Sequence, residues 1–157
     1  AHWREQGRPA FPVDPLAIAS GTDVAAAALD WARARIADGP VLVYATAAPD
    51  AVRAVQARLG VAQAGELVER TLAAVARGLV EAGVRRLVVA GGETSGAVVQ
   101  ALGVERMAIG PQIDPGVPWT AVEPAACPGE TVHLALKSGN FGTTDFFTKA
   151  FEQLGRA

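Results

Sequence analysis

Arg86-Leu87-Val88-Val89-Ala90-Gly91-Gly92-Glu93-Thr94-Ser95-Gly96 passes from an apolar run into a glycine-bearing turn. A short, β-branched run bounded by turn signals reads as a strand buried on both faces. The spacing predicts a short helix over Ala97 to Leu102, ended by Gly103. Strand, glycine turn and helix in that order form the repeating unit of an α/β fold, and ligands in such folds bind beyond the carboxyl ends of the strands.

The same pattern extends outward in both directions. Upstream, Val68, Leu72, Val75 and Leu79 fall on one face of a helix running from about Gly65 to Ala82 and closed by Gly83. Glu66 stands four residues before Arg70, the favourable order for a helical ion pair. Farther back, Val41-Leu42-Val43-Tyr44-Ala45 is a second apolar run expected to be buried on both faces. Gly21-Thr22-Asp23 opens a helix over Val24 to Ala37 that Gly39-Pro40 stops. Pro49-Asp50 opens another helix to about Leu59, with Gly60 as its left-handed stop. The opening residues carry no strand signal.

Downstream, Gly110, Pro111, Pro115, Gly116 and Pro118 break the chain into short extended pieces. Thr131 to Leu136 reads as a strand, and a last amphipathic helix begins near Thr144 or Asp145. The expected fold is a three-layer α/β sandwich, with a mainly parallel sheet between helical layers and mixed strands from the Pro/Gly-rich third. Residues 1–157 suit one domain.

Composition removes several classes. Fourteen Lys+Arg against sixteen Asp+Glu leave a net charge of −2, so no basic field invites a nucleic acid or an acidic membrane. The single cysteine, Cys127, excludes an internal disulfide framework. No apolar run reaches the roughly 18–20 residues that span a bilayer, and no leader pattern opens the chain, so a cytoplasmic protein is expected. His2 and His133 lack partners at metal-ligand spacing. No Gly-x-Ser-x-Gly elbow, Walker loop or Gly-x-Gly-x-x-Gly after a strand is present. Asp114 suits turn capping, Trp119 a core or interface, and Phe146, Phe147 and Phe151 a core.

Two loops carry the chemistry that remains. In the first, Gly91, Gly92 and Gly96 let backbone approach a ligand, Thr94 and Ser95 offer hydroxyls, and the following helix start offers unpaired N–H groups to an anion. An ordinary turn with Thr94 or Ser95 as cap fits that composition equally well. In the second, Lys137 could neutralise a phosphate, while Ser138, Gly139 and Asn140 suit a turn exposing N–H groups. By spacing alone this second loop reads as a strand-ending turn with a solvated lysine.

Three motifs occur in order: Val89-Ala90-Gly91-Gly92-Glu93-Thr94-Ser95-Gly96, then Ile109-Gly110-Pro111-Gln112-Ile113-Asp114-Pro115-Gly116-Val117-Pro118-Trp119, then Leu136-Lys137-Ser138-Gly139-Asn140-Phe141-Gly142 with Asp145-Phe146-Phe147. Together they resemble the C-terminal, nucleotide-binding domain of the four-carbon acid sugar kinases, the 3-oxo-tetronate, threonate and erythronate kinases. Asp14-Pro15-Leu16 and Tyr44-Ala45-Thr46 extend the likeness more loosely. The resemblance implies that Gly92, Glu93, Thr94 and Ser95 contact the phosphates of ATP and that Gly139 lines the same site. It further implies a four-carbon sugar acid held by an N-terminal domain of a longer chain; phosphoryl transfer of that kind calls for Mg²⁺ on the phosphates, with Glu93 as a direct or water-mediated partner. A family loop of the Ser-Gly-Ser-Cys-Ser kind would precede Ala1. A non-catalytic module that binds a nucleotide or a phosphorylated metabolite for regulation would carry similar loops.

Overall fold

The structure is a computed structural model that describes residues 2–45, 53, 57, 60–139 and 141–154. In chain order its elements are α1 (His2–Glu5), β1 (Ala10–Pro12), α2 (Pro15–Ala19), α3 (Val24–Arg33), β2 (Leu42–Tyr44), α4 (Val61–Glu81), β3 (Arg86–Ala90), α5 (Gly92–Leu102), β4 (Met107–Asp114), β5 (Val117–Val122), β6 (Val132–Lys137) and α6 (Phe146–Leu154).

β3, β6, β5 and β4 form one sheet in that spatial order, and β1 pairs with β2 in a second. β3 and β6 are parallel, whereas β6 with β5 and β5 with β4 are antiparallel. The mixed strands thus come from the Pro/Gly-rich third, as expected. Alternation along β3 sends neighbouring side chains into different layers. Val89 packs with Val80 of α4, Val98 and Leu102 of α5 and Leu134 of β6. Val88 packs on the opposite face with Trp119, Phe146 and Ala150. Helices therefore cover the sheet on both sides, and the three-layer α/β sandwich holds.

Trp119 is fully buried, and its Nε1–H donates to the Ala150 carbonyl (3.1 Å), fastening α6 to the sheet. The Thr120 hydroxyl donates to the Leu134 carbonyl across the β5–β6 pair (2.7 Å). A third cluster joins α3 to α4 through Ala28, Ala32, Val75 and Leu79, with Phe11 and Val43 beside it.

Several expectations are corrected. α3 ends at Arg33, after which the chain turns through Asp38 instead of remaining helical to Ala37. β2 is three residues long and half-buried, not covered on both faces. Gly60 adopts φ 84° and ψ 155°, which is not the left-handed helical conformation expected of it, and leads directly into α4. The opening stretch contains β1; Pro12 and its length of three residues leave no periodicity for a sequence reading to detect. The helix expected over 50–59 lies outside the described residues except at Arg53 and Ala57, both helical. The broken stretch around Pro111 is one eight-residue strand with two register shifts, because a residue without N–H interrupts pairing without ending the strand.

Leu134 is fully buried where α4, α5 and β6 meet. Leu134→Ala is expected to cost about 2–5 kcal/mol, read as a lower denaturant midpoint with an unchanged slope.

Candidate functional site

The parallel pairing of β3 and β6 brings the two loops together. Ala90 stands opposite Lys137, and the next amide, Gly91 N–H, donates to the Lys137 carbonyl (2.8 Å). Both strands end at the same rim. β4 runs in the same direction as β6, being two antiparallel steps away, so Asp114 and the Pro115-Gly116 turn lie at that rim as well.

Gly91 takes φ 112° and ψ 130°, a conformation outside the ordinary range of L-residues, and leads directly into α5. A Cβ there would also stand 3.2 Å from Thr94 Oγ1. The structure starts α5 at Gly92, five residues earlier than the expected Ala97, so Gly92, Glu93, Thr94, Ser95 and Gly96 form helical turns and not a loop. No side chain caps the helix, which removes Thr94 and Ser95 as caps. Ser95 N–H bonds to the Gly91 carbonyl (2.9 Å), leaving Gly92, Glu93 and Thr94 as first-turn amides with no intrahelical acceptor. A Cβ at Gly92 or at Gly96 would meet no atom within 4 Å. The Ser95 hydroxyl is buried and unbonded, the kind of orphan that an acceptor from a ligand would satisfy.

Lys137 behaves differently from the expected free cation. Its Nζ donates to the Gly139 carbonyl (2.8 Å) and closes the loop on itself. Ser138 and Gly139 are exposed, Gly139 has φ 41°, and Asn140 lies outside the described residues. Asp114 secures the far end of this loop. Its buried carboxylate accepts from Thr143 N–H (2.9 Å), the Thr143 hydroxyl (3.0 Å) and the Lys149 ammonium. The expected capping role holds in kind, but the cap reaches across the rim to residues 143–149 instead of closing its own turn. Sequence spacing of 29 and 35 residues hides such a link.

The family model described as a nucleotide-binding C-terminal domain matches residues 1–147. The chain is 60% identical to a 3-oxo-tetronate kinase of Cupriavidus necator, over 99% of this chain and 34% of that protein. It is likewise 60% identical to a 3-oxo-tetronate kinase of Burkholderia multivorans, over all of this chain and 35% of that protein. The chain belongs to the C-terminal domain family of the four-carbon acid sugar kinases. It spans about a third of the length of these relatives. Among solved structures, a Haemophilus influenzae protein superposes with a TM-score of 0.84 at 40% identity, over 96% of this chain and 35% of that one. A protein from Salmonella typhimurium, titled a putative tRNA synthase, superposes with a TM-score of 0.82 at 38% identity, over 97% of this chain and 36% of that one.

Within this family domain the acidic groups near the rim divide by environment. Burial raises the Glu69 carboxyl above its ordinary value, and the neighbouring Glu93 carboxylate raises it further. Glu93, exposed in the first turn of α5, thus sits close to a second acid on α4. The described residues contain no group of three or more metal-ligating side chains, and no described helix is long and apolar enough to cross a membrane. Magnesium held mainly by phosphate oxygens needs only one or two carboxylates, which the Glu93 region can supply.

The Lys149 hydrogen bond, followed by that from Thr143 N–H, holds the Asp114 carboxyl below the usual carboxylate range. A lowered folded-state value stabilises the protein above the ordinary carboxylate pKa, and the benefit disappears as pH falls through the lowered value. Asp114→Asn is therefore expected to lower the melting temperature at pH 7 by roughly 2–6 °C. The gap from the parent should close in strong acid; thermal scans across pH check both.

Proposed function

We propose that this chain holds ATP for a kinase that transfers the terminal phosphoryl group to a hydroxyl of a four-carbon sugar acid of the 3-oxo-tetronate class. One observation carries the reading: the Gly91–Lys137 hydrogen bond sets an uncapped helix start and a second glycine loop side by side at one rim. The names of the relatives supply the substrate class.

Phosphoryl transfer asks the protein mostly for positioning and charge stabilisation. The free amides of Gly92, Glu93 and Thr94 point donors at an anion, and the α5 dipole adds partial positive charge at the same place. The open space at Gly92 lets phosphate oxygens reach those amides without a side chain intervening. The Thr94 hydroxyl adds a neutral donor, and the buried Ser95 hydroxyl can reorient towards an acceptor. Lys137 shapes the second loop through its bond to Gly139, while Asp114 holds residues 143–149 behind it. Mg²⁺, when bound, would neutralise charge on the phosphates, with Glu93 as the side chain to hold it. The sugar acid and the group that accepts its proton belong, in this reading, to the remainder of the polypeptide.

Gly92→Val is expected to leave the melting temperature within about 2 °C, because the site is exposed and open. The same change should weaken ADP binding at least 10-fold by calorimetry, since the added methyls cover the amides; equal affinity would remove α5 from the site. Thr94→Val should cost about 1–3 kcal/mol of ADP binding, the range for a hydrogen bond to a charged acceptor. The whole polypeptide carrying this chain should release ADP from ATP only when a four-carbon sugar acid is added. Tight ADP binding without turnover on any such acid would identify a regulatory module.

A further inference from the structure

β2 and β3 present their free edges to one cleft of about 1060 Å³. Residues 41–45 line one side of it and residues 86–90 the other. No ladder joins the two strands, although both belong to sheets flanked by the same helix α4.

The backbone of each edge points into this space. Leu42 N–H donates to Pro9 and Val13 N–H to the Tyr44 carbonyl, so Leu42 and Tyr44 face β1. Alternation along a parallel ladder then turns the polar groups of Val41, Val43 and Ala45 away from β1. On the other side, His133 N–H donates to Arg85 and Gly91 N–H to Lys137, so the odd-numbered residues of this stretch face β6. Arg86, Val88 and Ala90 face away from it by the same rule. Two rows of donors and acceptors thus front one gap.

The gap also has an apolar floor and roof. α4 contributes Leu72, Val75 and Leu79, while α6 contributes Phe147 and Phe151. These helices cover opposite faces of the sheet, as the Val89 and Val88 clusters show. A five-residue strand with neighbours about 4.8 Å away, in a layer roughly 10 Å thick, fills on the order of 800 Å³. The cleft therefore has the size, the apolar faces and the hydrogen-bonding edges that one strand requires. Its walls explain why β2, expected to be covered on both faces, is only half-buried.

We propose that a β-strand from the same polypeptide, outside residues 1–157, inserts between β2 and β3, parallel to both, and joins the two sheets into one. The relatives supply the source, since about two-thirds of their length lies beyond this chain. A β2–α4–β3 crossover is the connection parallel strands use, which sets the direction of the insert. The carboxyl end of the inserted strand then emerges beside Ala90 and Thr94, both on the cleft wall, and brings a third loop to the rim.

Amide hydrogen exchange on the whole polypeptide, without nucleotide and at two protein concentrations, tests the insertion. The amides of Val43, Ala45, Val88 and Ala90 are expected to exchange within 10-fold of those of Leu87 and Val89, which bond to β6, in a monomer of unchanged mass. Exchange more than 10-fold faster would overturn the proposal. So would protection that appears only with a doubled mass and fades on dilution, because the occupant would then be a second copy of the chain. Neither outcome depends on ADP binding, so failure here and failure of the kinase reading remain distinguishable.

Discussion

The parallel register of β3 against β6 is the constraint on which the rim depends. With Ala90 opposite Lys137, the ladder's next amide belongs to Gly91, and the bond it makes to the Lys137 carbonyl fixes where both chains leave the sheet. A slip of one residue would exchange the faces of Val88 and Val89 and lose two packed clusters together. The position of the candidate site is therefore held by the burial of these side chains in two different layers. That burial involves strand side chains and not those of the loops, which leaves the loop residues free to be chosen for chemistry.

α5 illustrates that freedom. Its N-cap residue, Gly91, has no side chain, and its first five residues are Gly92, Glu93, Thr94, Ser95 and Gly96. A serine, aspartate or asparagine at the cap would satisfy one amide and typically stabilise a helix by about 1 kcal/mol. Leaving the amides open, together with an unbonded buried Ser95 hydroxyl, is a local cost. An anion bound there would offset it through the same donors, which is what makes this uncapped start informative.

The strands and helices with a clear period were legible: the Arg86–Ala90 strand, the long helix over Val61–Glu81 and the terminal amphipathic helix all occupy their expected stretches to within a few residues. Glycine-rich composition hid the true start of α5, since Gly92 and Gly96 are poor helix formers that tertiary packing of Val98 and Leu102 overrides. The rim itself was visible as two loops after two strands, but their adjacency depended on strand order, which no local pattern encodes. Asp114 was legible as a capping residue and not as the anchor of residues 143–149, because that role arises only when β4 ends beside α6.

Half-burial of β2 and β3 connects the fold to the length of the relatives. A strand in the middle of an α/β sandwich pairs on both edges and is covered on both faces, because an unpaired buried amide or carbonyl is costly. β3 instead pairs on one edge only, while Leu87 and Val88 stay half-buried and Arg86 exposed, even though Val89 of the same strand is in the core. An apolar, β-branched stretch is well suited to a central strand and poorly suited to an edge, where charges and bulges normally discourage further pairing. β3 has only Arg86 as a charged residue and no register break against β6. Its composition is that of a strand with neighbours on both sides, and β2 offers the matching edge across the cleft.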